Sequence, residues 1–353
     1  MDFEVQLKQW TESVVSGELE ASKHALAAIQ TLSESDQKGG RACTVACIGI
    51  AESHGATALQ LDALLTWLSI EAASADIAQC RAVLQKMVPV CALLRPAYAA
   101  AMNFMEILRT SVFPQTPADQ VPHLLALALD ITDPLDDPEI TVELLRVAAI
   151  TYGDHGSFQP AYGALSDAEQ LAHRQKRADL LARVLSTMHC VCILEADHEY
   201  ANKIWPIIED VYKALGTPVP TGDLANRATC LMRMGRYPEA VKAFDEVLDG
   251  PKTDAPTSLF AIYGNLAACL RESGDLERAQ LAMGQAWALL EGADPSQIRF
   301  DEVLELNLID AKTACTTGDL PWALRCLQDA AALLDEMVAG TIKLHYRREV
   351  RER

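Results

Sequence analysis

The sequence predicts an all-α fold, a right-handed α-solenoid of about eight helix–turn–helix repeats. Three observations carry this. A short phrase recurs: Gly156-Ser-Phe158-Gln-Pro-Ala161, Gly235-Arg-Tyr237-Pro-Glu-Ala240, Gly274-Asp-Leu276-Glu-Arg-Ala279 and Gly318-Asp-Leu320-Pro-Trp-Ala323, with a degenerate copy at Ala196-Asp-His198-Glu-Tyr-Ala201. Its spacings are 40, 39, 39 and 44 residues, and a fixed period of that size is the mark of stacked repeats. Apolar residues flank each phrase at helical spacing: Tyr263, Leu266, Ala267 and Leu270 before Gly274, and Leu276, Ala279, Met283 and Ala286 after it, so each unit reads helix, tight turn, helix. Finally, the chain is 50% apolar but only 6% aromatic, and no alternating strand pattern appears, which favours helix over sheet.

The elements follow in order. An opening helix is predicted at about residues 2–15. Carrying the period backwards places turns near 115, 75 and 35, at Phe113-Pro-Gln-Thr-Pro117, Ala73-Ser-Ala-Asp76 and Ser33-Glu-Ser-Asp-Gln-Lys-Gly-Gly40. After the second of these, Ile77, Cys80, Leu84 and Met87 mark a helical stripe. Residues 1–135 thus read as degenerate repeats and 136–340 as clearer ones. Small residues sit seven positions before the turn (Ala149, Ala228, Ala267, Ala311) and five after it (Ala161, Ala201, Ala240, Ala279, Ala323), which lets paired helices approach closely. Four residues further on comes Leu165, Trp205, Phe244, Met283 or Leu327, a small-then-large alternation that lets facing layers interdigitate. Asp137, Pro138 and Glu139 read as an N-cap, a first-turn proline and an acid facing the positive end of the helix dipole. Thr116-Pro117-Ala-Asp119 reads as a similar helix start, and Asp223 as the cap of the helix after the Gly216–Asp223 loop. Gly250–Pro256 and Gly292–Pro295 read as loops between repeats. Pro206 lies eight residues into a predicted helix, so a kink above 20° or a break near Lys203–Trp205 is expected. Residues 341–353 read as a basic C-terminal helix or neck.

Composition excludes several classes. A net charge of −19 argues against broad nucleic-acid binding and against anionic membrane surfaces, and permits a basic partner. No stretch has 18 uncharged apolar residues, and the start Met1-Asp-Phe-Glu-Val lacks a basic segment followed by an apolar one, so a cytoplasmic protein is expected. The ten cysteines fall mostly at small-residue helix positions, where a free thiol acts as a small hydrophobe. His189-Cys190-Val-Cys192 resembles metal-ligand spacing, but on a helix Cys190 and Cys192 point about 200° apart. Cys43 and Cys47 share a face without a second pair. The acidic run Asp130–Glu139 lacks the glycine and terminal glutamate of a calcium loop. There is no phosphate loop, dinucleotide fingerprint or nucleophile elbow. No catalytic residue, metal or cofactor is expected.

Gly235, Tyr237, Ala240 and Phe244, with Ala228 as the small residue of the preceding helix, resemble the tetratricopeptide repeat. The likeness covers roughly residues 138–337. The period of about 40 exceeds the family's 34, as in the tetratricopeptide-like solenoids of large bacterial regulators, and the Trp-Leu-Gly part of the first-helix pattern is mostly missing. The resemblance implies a superhelix whose first helices line a concave groove. Transferred repeat by repeat, the groove positions are Glu143, Arg146, Ile150, Arg183, Ser186, Thr229, Met232, Arg233, Arg271, Glu272, Glu305 and Lys312, with Asn226, Asn265 and Asn307 nearby. The Lys/Asn/Arg clamp of carboxylate-gripping members is absent. The expected function is a non-enzymatic protein- or peptide-binding scaffold, the regulatory or sensory part of a bacterial signalling protein. The alternative is an enzyme regulator or small-ligand-binding protein with a pocket inside the superhelix. Arg183, Arg233, Arg271 and Lys312 are expected to form a cationic stripe that receives an acidic or carboxylate-bearing segment, unless each pairs with a nearby acid such as Glu272 or Glu305. A C-terminal output domain or a homo-oligomer is a further expected partner.

Overall fold

The computed structural model describes residues 2–94, 98–250, 259–291 and 300–339. Every regular element among them is helical, and the α-helices number 17. None of the described helices is long and apolar enough to cross a membrane. The chain divides into two compact units, Met1–Leu180 and Leu181–Arg353. The first holds α1 (Phe3–Ser16), α2 (Leu19–Ser33), α3 (Gln37–Ser53), α4 (Thr57–Ala73), α5 (Ile77–Leu93), α6 (Tyr98–Ile107), α7 (Val121–Thr132), α8 (Pro138–Asp154), α9 (Phe158–Arg174) and the start of α10 (Ala178–Leu194). The second holds the rest of α10, α11 (His198–Leu215), α12 (Thr221–Arg233), α13 (Tyr237–Asp249), α14 (Leu259–Glu272), α15 (Leu276–Glu291), α16 (Phe300–Thr317) and α17 (Leu320–Ala339). This is one opening helix and eight pairs, with a break between α2 and α3, α4 and α5, and α6 and α7 where the period places turns 35, 75 and 115. The last of these is a π-helical turn, Leu108–Val112, followed by a 3₁₀ turn, Phe113–Gln115.

Each repeat turn closes by one device. The residue at the turn is left-handed: Gly156, Gly235, Gly274 and Gly318 have φ of 68°, 73°, 85° and 85°. The amide after it reaches back to the carbonyl five residues earlier: Ser157 to Tyr152 (2.8 Å), Arg236 to Leu231 (3.0 Å), Asp275 to Leu270 (2.9 Å) and Asp319 to Ala314 (2.9 Å). This satisfies carbonyls that the helix end leaves bare. Glycine is favoured because a Cβ strains the left-handed region. The degenerate copy forms the same turn with Ala196 at φ 66°, Asp197 donating to Cys192 at 2.9 Å. In the first unit two further left-handed glycines, Gly17 and Gly55, close α1 onto α2 and α3 onto α4. Counting back from the clear repeats finds the alternate set of turns, after α2 and α4.

Ala161, Ala201, Ala240 and Ala279 are fully buried at their helix crossings. In the second unit Ala228, Ala240, Phe244, Leu266, Ala267, Ala279, Met283 and Ala286 form one apolar cluster. Asp137 caps α8 as expected, accepting from the Glu139 amide at 2.9 Å.

Two local expectations are corrected, and of the kink or break expected at Pro206 the break does not occur. The helix expected to start at Thr116 begins at Val121 with Gln120 before it, and the Thr116 hydroxyl donates to the Val112 carbonyl at 2.7 Å, finishing the preceding turn instead. Asp223 lies inside the first turn of α12. Its carboxylate accepts from Ser186 (2.7 Å) and Tyr212 (3.4 Å), tying α12 to α10 and α11. Finally, α11 runs through Pro206 without a break. Ile204, Trp205, Ile208 and Tyr212 are buried along it while Pro206 faces solvent, so packing of the apolar face holds the helix past the missing N–H. The loop residues 251–258 and 292–299, and the tail from 340, lie outside the described residues.

His189 is buried on α10, its ring centroid 5.4 Å from that of Trp205, with Arg227 stacked 5.7 Å over the same tryptophan. Its Nε2 has no hydrogen-bond partner. Burial, and secondarily the Arg227 charge, push its pKa down to about 4.

Three outcomes test this account. Ala279→Leu should overpack the crossing and cost about 1–3 kcal/mol in chemical unfolding; parental stability would place Ala279 outside a tight contact. Ala196→Gly should relieve a left-handed alanine and stabilise by about 0.5–1 kcal/mol net of the entropy glycine gains in the unfolded chain. For His189, the folded pKa lies below the unfolded value, so its neutral form is favoured by folding. That stability is whole above about pH 6.5 and is lost as pH falls toward about 4, by about 3 kcal/mol in all. His189→Leu should flatten that pH dependence, read from urea midpoints across the window.

Candidate functional site: the first-helix face of the second unit

In the second unit the first helix of each pair leaves one sector open at matching positions. At 100° per residue one open stripe of α14 is Ala261, Asn265, Ala268 and Glu272, while the half-buried Leu259 and Tyr263 lie on the opposite side against the apolar cluster. On α12 the same sector carries Gly222, Asn226, Thr229 and Arg233, and on α16 Glu305, Leu308, Lys312 and Thr316. On α10 it carries Arg183, Cys190 and Leu194. The repeat places these at matching distances from the turn: Leu194, Arg233, Glu272 and Thr316 each lie two residues before the left-handed position.

One contact spans this face. The Arg233 guanidinium meets the Glu305 carboxylate at 3.0 Å. These residues belong to α12 and α16, which flank α14. Both helices pack against α14, so the pair reaches across the open sector of α14. Both partners are more than a third exposed, and a pair of this kind contributes about 0.2–1 kcal/mol, reduced by salt.

Arg271 sits deeper. Its guanidinium donates to the Glu272 carboxylate at 2.7 Å, to the Ile309 carbonyl at 3.3 Å and to the Thr313 hydroxyl at 3.5 Å. Its side chain is only 9% exposed, so it braces α14 against α16. Of the four cations expected in a stripe, Arg233 and Arg271 thus take up Glu305 and Glu272 within the chain. Lys312 is exposed, and Arg183 is half-buried on α10.

The other expected groove residues divide. Asn265 is half-buried in the open sector. Thr229 lies in it too, its hydroxyl donating to the Ala225 carbonyl at 2.9 Å. Met232 packs against the apolar cluster. Asn307 is buried, and its amide donates to the Val303 carbonyl at 2.9 Å, so it serves the helix rather than a surface. Arg146 belongs to the first unit and pairs with Glu143 three residues earlier. Ala261, Ala268 and Leu308 were not among the residues singled out. For the two alanines the signal is the i, i+4, i+7, i+11 recurrence of open positions along α14, which small apolar side chains conceal in a helix already rich in alanine.

Beside this face, Glu195, Ala196, Asp197, His198, Glu199 and Met234 line an open cleft of about 640 Å³ at the α10–α11 turn. The His198 pKa is pushed down by burial and by the Arg233 charge, against an upward pull from Asp197. Among the described residues no group of three His, Cys, Asp or Glu side chains is placed to hold a metal ion. The cysteines are free thiols, and Cys192 is buried while Cys190 is half-exposed, as their opposed helical directions require.

No family model matches this chain and no curated protein matches it. Solved structures do. The apo form of RapI is 9% identical, covers 96% of this chain and 99% of its own, and superposes with a TM-score of 0.53. BtubC from P. vanneervenii is 19% identical over 63% of this chain and 92% of its own (TM-score 0.49). The apo form of the quorum sensor NprR from B. thuringiensis is 11% identical over 94% and 98% (TM-score 0.45). The fold is that of a tetratricopeptide-like helical repeat protein.

Proposed function

We propose that the second unit is a non-enzymatic scaffold whose first-helix face binds an extended protein or peptide segment carrying a carboxylate, and that this binding serves regulation. The observation that carries the reading is the Arg233–Glu305 contact across α14. An arginine, an exposed lysine (Lys312) and the amide of Asn265 share one face over small side chains, Ala261 and Ala268, that let a backbone come close. Glu305 occupies the guanidinium that an incoming carboxylate would take. Because an exposed pair of this kind is weak, a guest that brings further contacts can displace it. Charge-assisted bonds shielded by that guest contribute about 1.5–3 kcal/mol each.

The test uses variants that spare the brace at Arg271. Segments that co-purify with the full chain are identified by crosslinking and mass spectrometry, then titrated as synthetic peptides. Arg233→Glu/Lys312→Glu should weaken binding at least tenfold while far-ultraviolet circular dichroism and melting stay parental. Glu305→Gln, which removes the internal competitor, should tighten it. Affinity unchanged in both variants, or crosslinks confined to other surfaces, would sink the proposal.

A further inference from the structure

The α12–α13 pair departs from the other repeats at two positions. Just after the left-handed residue, Asp197, Asp275 and Asp319 each cap the helix that follows, accepting from the amides of Tyr200 (3.0 Å), Arg278 (3.2 Å) and Trp322 (3.1 Å). The copy before α13 is Arg236, and α13 has no side-chain cap. An arginine there forfeits the cap and sets a cation at the positive end of the helix dipole. The second position lies eight residues before the left-handed one. Three of its other four copies are apolar, Ala148, Met188 and Leu266, but on α12 it holds Arg227. That side chain is half-buried, with its guanidinium 5.7 Å over the Trp205 ring. Both arginines break the local rules of the repeat, and conflicts of this kind collect at functional sites.

The two guanidiniums meet at one atom. The side-chain oxygen of Asn202 on α11 accepts from Arg227 Nη1 at 2.7 Å and from Arg236 Nη1 at 3.1 Å. Glu239 holds the other edge of Arg236, accepting from Nε at 2.7 Å and from Nη2 at 2.5 Å. This carboxylate offsets one positive charge and fixes the Arg236 fork with Nη1 toward Asn202. The Arg227 guanidinium donates to the neutral amide rather than to a carboxylate. Burial pulls its pKa down, and the Arg236 charge adds to that effect. An anionic oxygen in place of the amide oxygen would receive two charge-assisted bonds, stronger than those the amide receives. Turning the Asn202 amide over brings its NH₂ to the same point as a third donor. Three donors suit a group with three oxygens on one centre, whereas a carboxylate has two. All three side chains are part-exposed, so the point is reachable from solvent. We infer that Arg227, Arg236 and Asn202 form a second binding site, at the junction of α11, α12 and α13, for a phosphoryl group, either free phosphate or a phosphate ester.

The test is made on the full chain at constant ionic strength. Inorganic phosphate and N-acetyl-O-phosphoserine amide are titrated in by calorimetry, with acetate as the control anion. One saturable site that acetate does not fill is expected. Tighter binding of the ester assigns the site to a phosphorylated partner, and tighter binding of inorganic phosphate assigns it to the free ion. Arg227→Gln should weaken binding at least tenfold. Arg236→Asp, which restores the residue of the other repeats, should melt no lower than the parent and still weaken binding at least tenfold. Asn202→Asp sets a fixed carboxylate between the guanidiniums and should block the site while the fold is kept. Phosphate bound no better than acetate, or bound with parental affinity by Arg236→Asp and Asn202→Asp, would overturn the proposal. Should Arg227→Gln not fold, those two variants decide alone, since each supplies an internal partner for what it removes.

Discussion

The second unit depends on a single backbone bond repeated at each pair. An amide just past a left-handed residue returns to a carbonyl five residues back. That bond ends the first helix, sets the angle at which the second departs and, with it, which side chains of the two helices face one another. Alanine at the crossing then becomes obligatory, because the turn leaves no room to adjust. Once alanine is fixed there, a large residue one turn later can fill the gap to the next pair. Phe244 and Met283 do this in the second unit. The repeat is thus a chain of consequences from one turn geometry rather than a set of independent preferences.

This explains why so much of the architecture was legible in the chain. Left-handed turns select glycine, close crossings select alanine, and both signals survive when most other residues vary. Even the degenerate copy keeps the alanine at 201 and the large residue at 205. The turns at Gly17 and Gly55 went unread because counting by the full period lands on alternate breaks, and in this part of the chain the glycine has moved to the other set. At Pro206 the buried stripe of α11 keeps the helix continuous, a packing term that the local penalty alone does not contain.

The candidate site was legible only by position. The repeat put Arg233, Asn265 and Lys312 on the open sector, but it did not reveal partners. Arg233 and Glu305 lie 72 residues apart, and their meeting depends on how far two successive pairs turn, a quantity no single repeat encodes. Arg271 shows the same limit at closer range. One residue separates it from the open position at Glu272, and that step of 100° carries it from the surface into a brace between two helices. Asp223 likewise reads locally as a cap and acts at long range.

The end of the second unit carries its own reporter. The Asp310 carboxylate on α16 is buried, and one of its oxygens accepts from the Trp287 indole on α15 at 2.7 Å and from the Trp322 indole on α17 at 3.0 Å, with the Cys326 thiol at 3.7 Å. Two of the chain's five tryptophans therefore share one carboxylate acceptor, the three groups lying on three consecutive helices. Indole emission responds to the polar partner at its N–H, so a loosening of α17 from α16 would change the surroundings of Trp322. The intrinsic fluorescence of the native chain reads the seating of its last pair without any added label.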